Sequence, residues 1–421
     1  MVLKNGEIAR TIHAGRTGTW FGPPIEGRSV FQGASLGKTL ATWLALRLVA
    51  EGKLELDRAL SDYTGGESWA VPPELGNRIT LRHVLTHTSG LGNRVAPPDP
   101  VVAFEPGSRF QYSGNGFYLL QRTMEAVTGE PVEETMRREL FEPLQMANST
   151  FDPGADPGDE VIPSMPVRWA MAAATLLIAA GALAVLAFRL ILVKLKPGSG
   201  RAPKVRFWRA AATGALATSV AAGLLLGPLH GAWLLVLQLA LAATCCGMAL
   251  LAGKALSSPR YKFGLPARRA LTIAACLVFL AGIYWIGQQR HVPMPVIQPA
   301  DPSPNLAYSL RTTALDLAAF ARKVLDDHVA GADRGASLFT VQRPLGQGLA
   351  WSLGLATQQT GAGRVFWQSG INPGFESILA FLPQSRSAVV VLTSGFGGRE
   401  IAGEIVRREL GLQTDLITDF P

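Results

Sequence analysis

Acidic residues are absent from a long part of this sequence: between Pro166 and Ala300 there are fourteen Lys and Arg and not one Asp or Glu. Charge is scarce overall, at 17% of 421 residues, while 48% are hydrophobic, too apolar a balance for two or three ordinary soluble domains. Part of the chain is therefore expected to lie in lipid. The formal net charge of +8 invites a reading as a basic surface for nucleic acid, but outside 166–300 there are 25 basic and 31 acidic residues. The soluble part is mildly acidic, and no nucleic-acid partner is expected. Cysteine is nearly missing too: Cys245, Cys246 and Cys276 all sit inside apolar runs, which excludes a disulfide framework. The first residues, MVLKNGEIARTIHAG, lack the apolar core of a secretory signal, and no internal repeat stands out.

The apolar runs have membrane dimensions. Trp169 to Phe188 is uncharged for twenty residues, enough at about 1.5 Å per residue to cross a hydrocarbon core of about 30 Å. Ala210 to Gly253 is uncharged for 44 residues and broken near its middle by Pro228-Leu229-His230-Gly231, so it reads as a hairpin of two spans. Ala270 to Gly287 supplies a fourth, ending in Tyr284 and Trp285. The loop from Arg189 to Arg209 carries seven Lys and Arg, that from Lys254 to Arg269 carries five, and the hairpin turn carries none, which orients both basic loops to the cytoplasm. Four crossings return the chain to its starting side. Residues 1–165 and 301–421 are then expected together outside the cytoplasmic membrane, on its periplasmic side in a diderm bacterium, with the lipid bilayer as a partner. Export of the first half requires a signal, so a start upstream of Met1 is expected.

The flanks carry soluble α/β patterns. Lys4-Asn5-Gly6-Glu7 reads as a two-residue hairpin turn. Thr39 to Val49 and Gly116 to Val127 have helical apolar spacing; Ile378 to Phe381 and Ala388 to Leu392 read as strands. Val292 to Pro304 is Pro-rich and reads as a linker. Ser35-Leu36-Gly37-Lys38 opens an apolar helix, and a spacing of three puts hydroxyl and amine within reach of each other. A hydroxyl nucleophile needs such a base, and the lysine needs burial or a nearby cation to lower its affinity for protons. The helix N-terminus under Ser35 would also favour a developing oxyanion. Alone, the pattern is weak and more readily fits a capping serine and a solvated lysine. His83 and His87, four apart, would face one another on a helix as metal ligands, yet no third ligand with suitable spacing accompanies them.

Four further segments stand in a telling order. Phe31-Gln32-Gly33-Ala34-Ser35-Leu36-Gly37-Lys38 is followed by Ile79 to Leu91, which contains Leu85-Thr86-His87-Thr88-Ser89-Gly90-Leu91. Phe104-Glu105-Pro106-Gly107 leads to Tyr112-Ser113-Gly114-Asn115, then come Phe141-Glu142-Pro143-Leu144 and Gln368-Ser369-Gly370-Ile371-Asn372-Pro373-Gly374-Phe375. Together they resemble the serine β-lactamase and penicillin-binding-protein-like hydrolases, nearest the class C β-lactamase and esterase branch. The resemblance implies an α/β (α+β) fold, an antiparallel sheet flanked by helices plus a helical lobe. Met1 to Gly33 and Trp351 to Leu412 would build the sheet lobe, and Leu81 to Phe151 the helical one. The membrane block at 166–300 would be a four-helix transmembrane insertion between catalytic halves at 1–165 and 301–421.

The same resemblance makes Ser35 the nucleophile, Lys38 its base and Tyr112 a second proton shuttle, all three within hydrogen-bond reach. It places the oxyanion donors at the backbone N–H groups of Ser35 and Ile371, and substrate contacts at Asn115, Gln368, Ser369 and Gly370. It implies no cofactor, and the histidine segment is not metal-binding in the family. Two positions depart from the family pattern. Gly114 replaces the usual Asn of the tyrosine motif, and Gln368 replaces the Lys or His that opens the third motif. A neutral amide lacks the charge to anchor a substrate carboxylate, which favours ester hydrolysis over β-lactam or D-alanyl peptide hydrolysis. The leading expectation is a membrane-anchored extracytoplasmic serine hydrolase acting through an acyl-enzyme on a small ester or amide, with cell-wall peptide as a further substrate class. The alternative is a catalytically silent module that senses cell-wall peptides. A small transporter fits poorly, since the spans contain no Asp or Glu.

Overall fold

Asn5 and Gly6 both adopt left-handed conformations, φ 52° and 84°, so Val2–Lys4 (β1) folds back on Glu7–Arg10 (β2) through the tight turn that Asn-Gly favours. The computed structural model describes residues 1–16, 23–66, 72–93, 101–156, 164–166, 291–293, 303–331, 338–395, 397–413 and 415–416. The four expected membrane spans lie outside the described residues. Among those described, no helix is long and apolar enough to cross a membrane.

The chain divides into two compact units, one of Met1–Thr17, Phe21–Val161 and Gln298–Pro421, the other of Gly18–Trp20 and Ile162–Ile297. In the first, Phe31–Ala34 (β3) leads to the helix Gly37–Ala50 (α1), then short helices at Pro73–Gly76 (α2) and Leu81–Leu85 (α3) precede Asn115–Thr128 (α4) and Val132–Met136 (α5). In the second, Ser164–Pro166 (β4) pairs antiparallel with His291–Pro293 (β5), so the chain segments that bound the apolar block run side by side. Val292 and Pro293, read as linker from their prolines, are therefore strand residues. Back in the first unit come Leu310–Thr312 (β6), Ala314–Val329 (α6), the strands Arg343–Gly346 (β7), Leu349–Trp351 (β8), Ala356–Thr360 (β9), Gly363–Asn372 (β10), Phe375–Leu382 (β11) and Ser387–Ser394 (β12), and the helix Gly398–Glu409 (α7).

Eight strands form one antiparallel sheet in the order β2-β1-β12-β11-β10-β9-β8-β7, with Val2 opposite Val389, so both ends of the chain share it. Side chains alternate between its faces. Trp367, Ala380 and Val389 pack with Ala402 and Val406 of α7, while Phe366, Leu379, Phe381 and Val390 join the larger core containing α1, α4 and α6. Helices thus cover both faces. Two boundaries differ from the sequence reading. The sheet's C-terminal portion begins at Arg343, ahead of Trp351, because β7 is an edge strand whose Pro344 and exposed side chains hide the apolar signal. Phe31–Ala34 lies outside the main sheet and pairs with β6.

α1 is apolar nearly all round and buried along almost its whole length, the signature of a central helix. Glycines allow close approach here: a Cβ on Gly370 of β10 would stand 2.1 Å from the Gly33 carbonyl oxygen in β3, and one on Gly37, the first residue of α1, would stand 2.6 Å from the Phe151 ring. Gly370→Ala is expected to lower stability by about 1–3 kcal/mol through overpacking against backbone. Gly403→Ala, on α7 with open space around it, should be neutral or slightly stabilising. Thermal unfolding of the two full-length variants checks this, and equal midpoints would contradict the close approach.

Candidate active site

Ala34 sits at φ 49°, unusual for a residue with a side chain, and the Leu36 N–H donates to the Gly33 carbonyl at 3.0 Å. This turn holds Ser35 two residues ahead of Gly37, the first residue of α1, instead of on the helix itself. Lys38, in the first turn and only 2% exposed, still reaches back: its Nζ donates to Ser35 Oγ at 3.0 Å and to the Ala307 carbonyl at 2.7 Å. Ser35 Oγ lies 3.4 Å from that same carbonyl. Burial pushes the Lys38 amine down to about 7. A lysine at its ordinary value would be fully protonated at neutral pH, whereas this one is neutral in a large fraction of molecules and can accept a proton.

Tyr112 arrives on a loop pinned from several directions. Gly107 N–H donates to the Thr88 carbonyl at 2.8 Å, and Arg343 clamps the carbonyls of Gly107 and Ser108 at 2.9 and 2.8 Å. Ser113 Oγ accepts from the Gly116 N–H at 2.9 Å and so starts α4 directly after the tyrosine. The Tyr112 hydroxyl is hydrogen-bonded to the Ser35 side chain and accepts from Gln368 Nε2 at 2.8 Å. Lys38 Nζ stands 5.0 Å from the Tyr112 ring centroid. Burial pushes the phenol up to about 12, the bonds to Ser35 and Gln368 acting in the opposite sense. Tyr112 is therefore a neutral phenol near neutral pH, a donor opposite a base. Ser35, Lys38 and Tyr112 converge on one point, as the family resemblance implies.

The other expected contacts are placed differently. Gln368 is 1% exposed, and its amide donates to Tyr112 and to the Ser369 carbonyl at 2.8 Å, while Oε1 has no partner among the described residues. It supports the tyrosine from within, so it does not stand open as a carboxylate anchor. Strand alternation puts the Ser369 and Ile371 side chains on the face of the sheet that carries α7, opposite Gln368, so only their backbones remain available to a substrate. Among the described residues β9 pairs with β10 only over Gly363–Trp367, which leaves 368–372 without a strand neighbour on that side. Gly370 lies against Gly33, as above. Asn115 is 7% exposed, at the first residue of α4, its backbone N–H donating to the Gly92 carbonyl at 3.2 Å. It is packed as a helix-start residue.

His83 and His87 do not share a helix, because α3 ends at Leu85. His83 Nδ1 accepts from the Thr80 N–H at 3.2 Å in a reciprocal cap, and His87, at φ 53°, is buried under Tyr112. Among the described residues no group of three or more His, Cys, Asp or Glu is gathered for a metal.

Sequence reasoning missed the acceptor that locks Lys38. The Ala307 N–H donates to Asn305 Oδ1 at 2.8 Å, and Gln121 of α4 grips the same segment, accepting from Leu306 N–H at 3.2 Å and donating to the Pro304 carbonyl at 3.0 Å. A backbone carbonyl leaves no mark in a sequence. Only the paired amides Gln121 and Asn305 carry a side-chain signal for it.

The sequence matches the family described as Beta-lactamase over residues 1–234 and 284–412. The chain belongs to the beta-lactamase family. Its relatives include penicillin-binding protein 4 of Amycolatopsis lactamdurans, 27% identical over 152 residues, which cover 30% of this chain and 38% of that protein. Esterase EstB of Burkholderia gladioli is 27% identical over 180 residues, 36% of this chain and 46% of that one. The matches thus span less than half the length of either relative. The D-amino acid amidase of Ochrobactrum anthropi SV3 shares the fold with a TM-score of 0.58 at 15% identity, over 97% of this chain and 91% of that one.

Burying Lys38 works against stability in a pH-dependent way. Its folded value is depressed, so between about pH 7 and 10.5 the unfolded chain holds a proton that the folded chain lacks, and stability rises with pH across that window. Below about 7 both states are protonated and the cost of enclosing the charge is present in full. Lys38→Met is thus expected to gain most over wild type near pH 6 and to lose that advantage by pH 10, a change on the order of 5 kcal/mol at its ceiling. Thermal unfolding of both proteins at pH 6, 8 and 10 reads it; a constant difference would mean that Lys38 is not held as a near-neutral amine.

Proposed function

We propose that this protein is a membrane-anchored, extracytoplasmic serine hydrolase that cleaves a small ester or amide through an acyl-serine. The observation that carries the reading is the Lys38 amine, buried and 3.0 Å from Ser35 Oγ, with the Tyr112 phenol bonded to the same hydroxyl. In acylation neutral Lys38 takes the Ser35 proton, Oγ attacks the substrate carbonyl, and the backbone N–H groups of Ser35 and Ile371 receive the oxyanion. Collapse of that intermediate expels the leaving group, which takes its proton from Tyr112, and the proton on Lys38 replaces the one Tyr112 gave. In deacylation water enters on the same face, loses a proton to the base and attacks the acyl carbonyl, and the base returns that proton to Ser35 Oγ as the acid departs. The strandless edge of 368–372 suits an acyl chain running alongside β10.

Relatives named as an esterase, a penicillin-binding protein and an amidase support acyl transfer on esters, amides or cell-wall peptides as the substrate range. Gln368 narrows it: the amide is buried and spent on Tyr112, and residues 368–372 present no cation to hold a carboxylate. Neutral short-chain esters are the favoured class. Anchoring in the bacterial cytoplasmic membrane, by four spans within 166–300, rests on the uncharged runs and the twelve Lys and Arg of the two inner loops, each charge costing roughly 2.5–3.5 kcal/mol at mid-membrane. The antiparallel pairing of β4 with β5 suits a block that leaves and returns on one side.

A p-nitrophenyl ester and a chromogenic cephalosporin, assayed on wild type, Ser35→Ala and Gln368→Lys, test the chemistry. Wild type is expected to hydrolyse the ester with kcat/KM rising through about pH 7 as Lys38 loses its proton. Ser35→Ala should abolish this, and Gln368→Lys, which sets a cation against the Tyr112 hydroxyl, should pull the phenol toward ionisation and shift the pH profile without raising cephalosporin turnover. No Ser35-dependent turnover of either substrate, with binding of cell-wall peptide retained, would instead make the protein a silent sensor. For topology, single cysteines at positions 200 and 330 in whole cells should react with an impermeant thiol reagent only at 330; reaction at 200 and not at 330 would overturn the orientation.

A further inference from the structure

His87 is a buried imidazole that the mechanism above leaves without a task. It is 1% exposed, yet its backbone stands at φ 53°, a conformation that costs a residue with a ring, so something must hold it there. Three contacts do, and all fall on consecutive residues of the tyrosine loop. The His87 carbonyl accepts from the Gln111 N–H at 2.8 Å, its Nδ1 accepts from the Ser113 N–H at 3.0 Å, and its ring lies on the Tyr112 ring with centroids 4.2 Å apart and planes at 32°. The left-handed backbone is what lets one residue present carbonyl and side chain to the same loop. Trp351 and Phe117 close around the ring at 4.9 and 5.6 Å.

An imidazole suits this place for two reasons. Its flat face packs on a phenol, and its unprotonated Nδ1 is an acceptor that a phenyl ring lacks. Accepting at Nδ1 puts the ring proton on Nε2, which is buried without a partner among the described residues, Ser35, Lys38 and Tyr112 included. Burial and the Lys38 charge both push the imidazole well below its ordinary value, which keeps Nδ1 free to accept.

We propose that His87 is a positioning residue, bracketing Tyr112 from both sides and from below so that its hydroxyl meets the Ser35 oxygen and the departing group. The proposal rests on Tyr112 as proton donor to the leaving group, and its test keeps the two ideas apart. A p-nitrophenolate leaves with little need of a proton, whereas an alkoxide depends on one. The protein is assayed with p-nitrophenyl butyrate and ethyl butyrate, as wild type, Tyr112→Phe, His87→Asn and His87→Phe. His87→Asn tolerates the left-handed backbone but removes the stacked ring; His87→Phe keeps a ring and removes the Ser113 acceptor.

Tyr112→Phe is expected to depress ethyl ester turnover by about a hundredfold more than nitrophenyl ester turnover, within the usual range for general acid catalysis. Both His87 variants should show the same asymmetry at about tenfold, in kcat with KM little changed. Fluorophosphonate labelling of Ser35, which needs only the Ser35–Lys38 pair, should stay within about threefold of wild type. Should Tyr112→Phe show the asymmetry while both His87 variants lower the two esters equally, His87 is a packing residue and the inference falls. Should Tyr112→Phe itself show none, the leaving-group role of Tyr112 falls and takes the inference with it. If the Phe variant does not fold, the Asn variant decides alone.

Discussion

The site depends on the removal of one ammonium group from water. Lys38 is enclosed by the start of α1, the Ala307 segment and the rings of Tyr112 and Phe117, and that enclosure turns an ordinary surface cation into an amine that can take a proton near neutral pH. Nothing in the enclosure is specific to catalysis when taken singly. Ala307 contributes a carbonyl, Phe117 a ring, and α1 its apolar length. Yet each must be in place at once, since an enclosed cation without acceptors would be far more costly.

Close approach of backbones makes this possible. Gly33 and Gly370 bring β3 and β10 together without side chains between them, and Ser377 Oγ donates to both of their carbonyls, at 3.2 and 3.3 Å. The strand that carries Gln368 and Ile371 is thereby set beside the turn that carries Ser35. On the other side, Gln121 and Asn305 hold the 304–307 segment so that one carbonyl faces both Lys38 and Ser35. α4 thus serves the site twice, just ahead of its start through Tyr112 and Ser113 and about two turns later through Gln121.

Tyr112 shows how a departure from a family pattern changes chemistry without dismantling a site. A cation at position 368 would pull the phenol toward ionisation; the neutral amide of Gln368 leaves it a protonated donor. The same amide is buried and committed, so what it acts on is the state of the tyrosine. The division between an amine base and a phenol donor is then built from two groups whose surroundings shift them in opposite directions from their ordinary values.

Much of this was legible in the chain. Asn5-Gly6 specified a hairpin because few residues adopt two successive left-handed conformations, and the apolar runs at 39–49, 378–381 and 388–392 pointed to α1, β11 and β12 through their length and, for the two strands, their short β-branched composition. Ser35, Lys38 and Tyr112 could be named because the motifs that carry them resemble those of a known family, and the fold brings the three side chains together. Elements without an apolar period stayed hidden, as β7 and the pairing of β4 with β5 did. So did every role performed by backbone or decided by direction. That Gln368 turns inward to Tyr112, that Ser369 and Ile371 turn away, that Ala307 supplies a carbonyl and that His87 leaves its helix to brace a loop all follow from which face of an element meets which neighbour. A residue's chemistry is written in its side chain, but its surroundings are assembled from segments as far apart as 35, 112, 307 and 368, and only the folded chain brings these within hydrogen-bond distance.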